Sequence, residues 1–467
     1  MSSSDNDQVT VDFAVVGGGI AGVTCAQQLC LFNPGKCVTL VSASPVLKVV
    51  ADIAKITKNI EELSVTEAAG SDLESQYPNL KVIIARVDDW DPSTKQLKLS
   101  TGEPLCYYKL CICCGATPNR SFDSPGVLVI RDTETVNSLR ERLLCAQDIA
   151  VIGNGGIATE LVHKINNCRV HWLIRTESIS SPFLDAAAGR FLLESNSPKD
   201  SSSDIHECPV YKRMRYVVSE SGEKKVKFGT ALGPDWAENY KLIGSAADKN
   251  ISIQYNVEVE SVNCLDSQGR YEVRLSSGKV LVVDLVVNAT GVVPNPGCFG
   301  KHLDLADDKG IIVDSNFETS CKDVYAAGDV CVLRTNEELW FQMRLWTQAR
   351  QMGDAAARAM TGADQLIPSY FEVFAHSTHF FGYKVILVGL FNGQKLAEGG
   401  YEVLVRITPN KEYVKMVLKD GRIKGAILIG ETEMEEVTES LLYSQLDLTN
   451  VKDKLLDPNI DFEEYFD

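Results

Sequence analysis

The chain has 467 residues, 45% hydrophobic and 23% charged, an ordinary globular composition long enough for about two to four domains. Its 46 Lys and Arg against 63 Asp and Glu give a net charge of −17, which argues against direct nucleic-acid or anionic-lipid binding, because phosphates need a basic patch. No apolar run reaches a membrane span, no signal peptide is visible, and the 14 cysteines are scattered in mostly apolar company, so a reducing compartment, cytosol or nucleus, is expected.

Asp12–Val16 reads as a short apolar strand running into Gly17-Gly18-Gly19-Ile20-Ala21-Gly22, followed by a helical stretch, Val23–Leu31, and a second strand, Val38–Val41. Residues 42–76 read as loop and amphipathic helix, Lys81–Val87 as a strand, and Cys106–Cys114 as an apolar strand ending at Gly115-Ala116-Thr117-Pro118. The pattern then restarts 136 residues on: strand Asp148–Ile152, loop Gly153-Asn154-Gly155-Gly156-Ile157-Ala158, a helix to about Ile165 and a strand at Arg169–Ile174. Residues from about 195 to 248, with Ser201-Ser202-Ser203, Lys212-Arg213 and a Gly233-Pro234-Asp235-Trp236 turn, read as an insertion. Strands resume at Ile251–Val259, Tyr271–Leu275 and Val280–Val287, then Ile311–Val313 and Val324–Asp329, and Trp340–Met360 reads as a helix. Near the C-terminus, Tyr413–Leu418 and Arg422–Ile429 alternate around Asp420-Gly421, a hairpin signal, before a helix at Glu433–Leu446 and the acidic Asp461–Asp467.

Gly17, Gly19 and Gly22 fit the G-x-G-x-x-G dinucleotide loop: tight turn, backbone approach to a pyrophosphate, and helix–sheet packing, with the helix N-terminus favouring the anion. Gly153, Gly155 and Ala158 fit its G-x-G-x-x-A form. Each unit lacks the acid expected for the ribose at the end of its next strand. Ser42 stands there in the first and can hydrogen-bond a hydroxyl more weakly; Ile174 stands there in the second. Arg175 follows and could pair with a 2′-phosphate or be a plain exposed arginine, so the second nucleotide is NADH or NADPH. Asp329, after Ala326-Ala327-Gly328, is placed to accept from a sugar-like hydroxyl or to cap a helix. No paired metal-ligand spacing is present among the six histidines and the cysteines.

The two loops, with Cys113-Cys114-Gly115-Ala116-Thr117-Pro118, Asn288-Ala289-Thr290-Gly291-Val292-Val293-Pro294-Asn295 and Val324-Tyr325-Ala326-Ala327-Gly328-Asp329, resemble the FAD-dependent pyridine nucleotide-disulfide oxidoreductases from about residue 11 to 360. The resemblance implies an α/β fold of two Rossmann-like dinucleotide-binding domains, the second inserted in the first, with a small α+β C-terminal domain. The FAD domain would be residues 1–120 and 296–362. The NAD(P) domain would be 121–295 with the insertion, and 363–467 the C-terminal domain with its acidic tail. The resemblance places Asp329 on the flavin's ribityl chain, Lys48 near the flavin N5, and Glu160 as the acid that pairs with it. Trp346 is expected to cover the flavin ring or pack as core, and Val87, Gly115 and Gly291 complete the cofactor-binding candidates.

Met343–Gly353, Gly233–Trp236 and Leu455–Asp461 resemble one member of that family over essentially the whole chain. This implies an FAD protein of nucleus and cytoplasm that oxidises NAD(P)H and associates with the tRNA-splicing ligase complex, whose catalytic subunit it protects from oxidative inactivation. Disulfide reductases of the family carry a cysteine pair after the second strand or in the NAD domain, yet Ser42–Ile60 and Thr176–Glu207 contain none. His376 and His379 lack the C-terminal His-Pro setting of the glutathione reductase type. The expectation is therefore an FAD-dependent NAD(P)H oxidoreductase that passes electrons from flavin directly to an acceptor. The alternatives are a nucleotide-dependent binding module and a thiol/disulfide reductase using Cys113 and Cys114.

Overall fold

The computed structural model describes residues 10–120, 122, 124, 126–131, 133–195, 212–218, 249–265, 269–362, 369–396 and 400–457. The Gly233–Trp236 turn, the serine run at 201–203 and the acidic tail lie outside them.

Thr10–Val16 is the centre of the first sheet, flanked in parallel by Val38–Ser42 on one side and Pro104–Ile112 on the other. Its inner residues, Ala14 and Val15, are fully buried, as expected of a parallel strand covered on both faces. Leu80–Ile84 extends the sheet beyond Val38–Ser42, and Val324–Ala326 pairs with the end of Pro104–Ile112. The chain thus leaves this sheet, builds a second unit and returns to complete it. Helix Ile20–Phe32 crosses helix Trp346–Thr361 closely: a Cβ at Gly353 would lie 2.4 Å from the Ala21 carbonyl oxygen, so only glycine permits that approach.

The second sheet is parallel throughout, in the order Val127–Val129, Leu285–Asn288, Asp148–Ile152, Arg169–Leu173, Asn250–Gln254. An antiparallel trio, Val259–Cys264, Tyr271–Leu275 and Val280–Val283, packs beside it. Short strands Ala116–Pro118 and Val292–Pro294 pair antiparallel and form the crossing between the two units. The third sheet is antiparallel and six-stranded, with the hairpin Glu412–Lys419 and Arg422–Gly430 at its centre and helix Glu435–Ser444 on it. Its outermost strand is Lys212–Val218, contributed by the insertion and paired to Tyr401–Thr408.

The core does not divide as the sheets do. One cluster holds the first sheet and its helices. A second runs without a break from the second sheet's helices, through Leu161 and Phe183, into Phe380, Val385 and Tyr413 of the third sheet. The Phe183 and Phe380 rings meet at 5.4 Å, and His163 and Phe381 at 5.0 Å. At the same boundary Lys415 Nζ donates to Asp185 Oδ2 at 2.6 Å and to Asn392 Oδ1 at 2.8 Å.

Several sequence expectations are corrected. Residues 42–76 form an antiparallel hairpin, Val46–Lys55 with Glu61–Ala69, before a short helix, Gly70–Gln76. The Lys81–Val87 strand ends at Ile84, and Val87 opens a separate strand, Val87–Asp91. Ile251–Val259 and Val280–Val287 are each two strands rather than one, and the long helix begins at Trp346 instead of Trp340.

Candidate functional site

Both glycine loops turn from a central parallel strand into a helix, and their leading glycines are in the same conformation. Gly17 has φ +129° and Gly153 +130°, a region that side chains rarely enter. A Cβ on Gly17 would sit 2.1 Å from the Cys113 carbonyl oxygen; on Gly153 it would sit 2.2 Å from that of Ala289. Each loop is therefore seated on the backbone at the end of the neighbouring strand. Gly22 closes the first turn, its missing Cβ leaving room for the Gly17 carbonyl at 1.9 Å. Above Gly19 the space is open, with no atom within 4 Å of a built Cβ. Gly19 and Gly155 are N-caps with no side-chain cap, so the first amides of helices Ile20–Phe32 and Gly156–Lys164 are left for an anion.

The ribose ends differ. Ser42 is buried, and its hydroxyl is used in a turn, donating to the Ser44 carbonyl at 2.7 Å and accepting from the Ser44 amide at 3.2 Å. Nearby Ala85 N donates to Ser42 O at 2.8 Å, bringing the chain toward half-buried Val87 at the same sheet end. At the second loop Asn154 holds the turn from its side chain, donating to Thr176 Oγ1 at 2.8 Å, Ser178 O at 2.7 Å and Ser181 Oγ at 3.0 Å, and accepting from Ser180 N at 2.5 Å. Ala158 is fully buried beneath it. Arg175 is exposed and faces Glu258, Nη1 to Oε1 3.7 Å.

Asp329 is delivered to the first site by the return strand Val324–Ala326. Its carboxylate accepts no hydrogen bond among the described residues, whereas Arg344 beside it is engaged, by its Nε with the Asp329 carbonyl at 3.1 Å and by its Nη2 with Asp308. Burial pushes the Asp329 carboxyl up to about 6, against the pull of Arg344 and Arg131. A desolvated acid without a donor is what a hydroxylated ligand chain would satisfy. Helix Trp346–Thr361 starts beside it, with no side-chain cap and with Trp346, half-exposed, as its first residue. Thr347 Oγ1 lies 3.5 Å from His376 Nδ1, so a third-sheet histidine discounted from the sequence reaches this helix start. Burial drives His376 down to about 4, leaving it neutral.

Lys48, on the first strand of the hairpin, is half-buried and donates to Glu67 Oε1 of the second at 2.5 Å. Glu160 is half-buried midway along the second loop's helix, Gly156–Lys164. The hairpin is clamped to the Trp346 helix by a largely buried ion pair, Glu61 with Arg350. Neither Glu67 nor this clamp was legible in the sequence, because both depend on a hairpin that reads there as helix. Gly115, φ +66°, and Gly291, φ +96°, sit at the crossing, where Asn119 N donates to Gly291 O at 2.9 Å and Asn295 N to Gly115 O at 3.0 Å.

The described cysteines are free thiols. Cys111, on strand Pro104–Ile112, and Cys113, just past its end, face the same side with their sulfurs 3.5 Å apart, at 0% and 5% exposure. The hydrogen bond from Cys111 and burial push Cys113 well up, and burial does the same to Cys114, whose thiol turns toward Val16 O instead.

The profile of the pyridine nucleotide-disulphide oxidoreductases matches residues 11–197 and 232–353, two segments that contain both loops and Asp329. The chain belongs to this family. Residues 375–445 match the C-terminal domain of rubredoxin NAD+ reductase, which corresponds to most of the third sheet. Among relatives, the pyridine nucleotide-disulfide oxidoreductase domain-containing protein 1 of Danio rerio is 43% identical, covering 100% of this chain and 99% of its own. The Homo sapiens protein of that name is 40% identical over 97% of this chain and 98% of its own. A chain of the covalent putidaredoxin reductase–putidaredoxin complex superposes with a TM-score of 0.69 at 16% identity, covering 98% of each chain. The fold is that of the family's two-domain Rossmann-type reductases with a C-terminal domain. Its cofactors are FAD and NAD(P)H, and the chain is an oxidoreductase. The residues present fit: two uncapped helix starts over glycine loops for the pyrophosphates, and Asp329 for a hydroxylated chain.

Proposed function

We propose that this chain is an FAD-dependent NAD(P)H oxidoreductase in which electrons pass from the flavin straight to an acceptor, with no redox-active disulfide. The carrying observation is the state of the thiols: the pair beneath the first loop, Cys111 and Cys113, is buried and held protonated, and a protonated thiol is a poor nucleophile. The flavin, when bound, takes two electrons from the reduced nicotinamide and passes them on. The chain's part is to hold and shield. The glycine loops seat the two pyrophosphates, Asp329 accepts from the ribityl hydroxyls, and Trp346 covers the ring at the positive end of its helix. Lys48, fixed by Glu67, places one positive charge beside the flavin from the hairpin, and Glu160 faces the nicotinamide from the second loop's helix.

Anaerobic titration of purified protein with NADH or NADPH tests this. Bleaching of the flavin, retained when Cys113 and Cys114 are both replaced by Ser, with turnover on oxygen or a quinone, is expected. Loss of bleaching or turnover in that double variant would restore the thiol reductase, and bound flavin that neither nucleotide reduces would favour the binding module. In the cell we propose that the protein works in nucleus and cytoplasm with the tRNA-splicing ligase complex, guarding its ligase from oxidation. Ligase activity under peroxide, with and without added protein and NAD(P)H, tests that part; equal inactivation in both would sink it.

A further inference from the structure

We infer that Glu258 supplies, from a neighbouring loop, the acid that strand Arg169–Leu173 lacks at its end, and that it biases the second site toward the nucleotide without a 2′-phosphate. This rests on the reading of the Gly153 loop as the nicotinamide-nucleotide site and names its selectivity.

The segment after Asn250–Gln254 is fastened along the residues that follow Arg169–Leu173. Ile174 N donates to Gln254 O at 2.9 Å, Val257 N to Ile174 O at 3.0 Å and Asn256 N to Thr176 O at 3.2 Å. Asn256 turns the chain at φ +55°, and Glu258 N donates to Ser276 Oγ at 3.0 Å. Glu258 is therefore set by backbone bonds on both sides beside Arg175, 3.7 Å from its guanidinium. Ile174, which occupies the usual place of the ribose acid, is buried, and the charged side chains that meet solvent at this sheet end are Arg175, Glu177 and Glu258, the first and last of them paired.

The side chains are 70% and 64% exposed, and an ion pair so open contributes little to stability. Nothing in packing holds it closed, and both ends are free to turn to a ligand. A 2′-hydroxyl donates to the carboxylate. A 2′-phosphate must instead win Arg175 from Glu258 while being repelled by it and by exposed Glu177, two residues along. Arg175 taken alone points to NADPH; paired, it does not.

Calorimetry on the flavin-loaded protein with ADP-ribose and with 2′-phospho-ADP-ribose separates the terms, since these fragments differ only at the group in question. Wild type should bind ADP-ribose more tightly. Glu258→Gln should tighten 2′-phospho-ADP-ribose by about tenfold at low salt, less at physiological salt, and weaken ADP-ribose. Arg175→Ala should reduce only the phosphorylated fragment. Flavin absorbance and thermal midpoint show that each variant is folded. If Glu258→Gln changes both fragments equally, or neither, the inference falls while the site stands. If wild type binds neither fragment, the reading of the Gly153 loop falls with it.

Discussion

The two glycine loops share a strand, a turn and a leading glycine at nearly the same φ, yet they are finished differently. At the first, the serine at the strand end is buried and bonded to its own turn, a hairpin is bonded to the loop through Lys48 N to Gly18 O at 3.0 Å, and Glu61 with Arg350 ties that hairpin to the Trp346 helix. At the second, side chains of the following loop brace the turn through Asn154, and the strand end opens to solvent at Arg175 and Glu258. One site is closed over by elements brought from distant parts of the chain; the other is held by local bonds and left accessible. That is the contrast wanted between a cofactor that stays and a co-substrate that must leave after each turnover.

The largest effects should come from the leading glycines themselves. Alanine at either adds about 1–3 kcal/mol of backbone strain before the clash with a fixed carbonyl is counted. Gly17→Ala should purify without flavin, while Gly153→Ala should keep its flavin spectrum and lose reduction by NADH and NADPH. If Gly153→Ala also purified without flavin, the two sites would not be separable. Next in size, Arg350→Ala leaves Glu61 buried without its partner and should lower unfolding free energy by about 3 kcal/mol, measured by denaturant titration, with flavin affinity falling alongside. A smaller change is expected for Asp329→Asn, which removes a charge-assisted bond and should weaken FAD by about ten- to a hundredfold in equilibrium dialysis, with NAD(P)H affinity unaltered.

Asp329 also carries a pH signature. Its folded-state value, about 6, lies above that of an unfolded aspartate, so its stabilising contribution is full below about pH 4 and lost as pH rises through about 6. Thermal melts of flavin-free protein should show this loss in wild type and not in Asp329→Asn. Smallest of the set, Asn154→Ala removes the side-chain brace of the second loop and should raise KM for the nucleotide by about tenfold with flavin content unchanged.

Much of this was legible in the chain because the chemistry is local. A strand, three glycines and a helix lie within about 20 residues, and Asp329 follows its strand directly, so period and spacing find them. The hairpin at 46–69 was missed for a physical reason: its Ala- and Glu-rich second strand, Glu61–Ala69, has helix-forming composition, and tertiary pairing overrides it. The break at Ala85–Arg86, which separates Val87 from the strand before it, carries no glycine or proline to mark it in the sequence. Glu67 goes with the hairpin, whereas Glu258 and His376 depend on contacts between separate elements, and no spacing rule reaches those. Arg175 was seen without its partner, which reversed its meaning.

The unbroken core shared by the second and third sheets bears on how the protein is made. A nucleotide-binding unit of this type is usually a self-contained piece, yet here Phe183 packs against Phe380, and Phe191 against Tyr383 and Tyr413, all beyond residue 375. During synthesis that unit is finished at about residue 295 with one face still wet, and its own insertion strand must wait for Tyr401–Thr408 to exist. A chain cut at residue 362 would retain both glycine loops and lose the surface that closes around one of them. Premature stops late in the coding sequence should therefore behave as folding failures first and as losses of a C-terminal domain second.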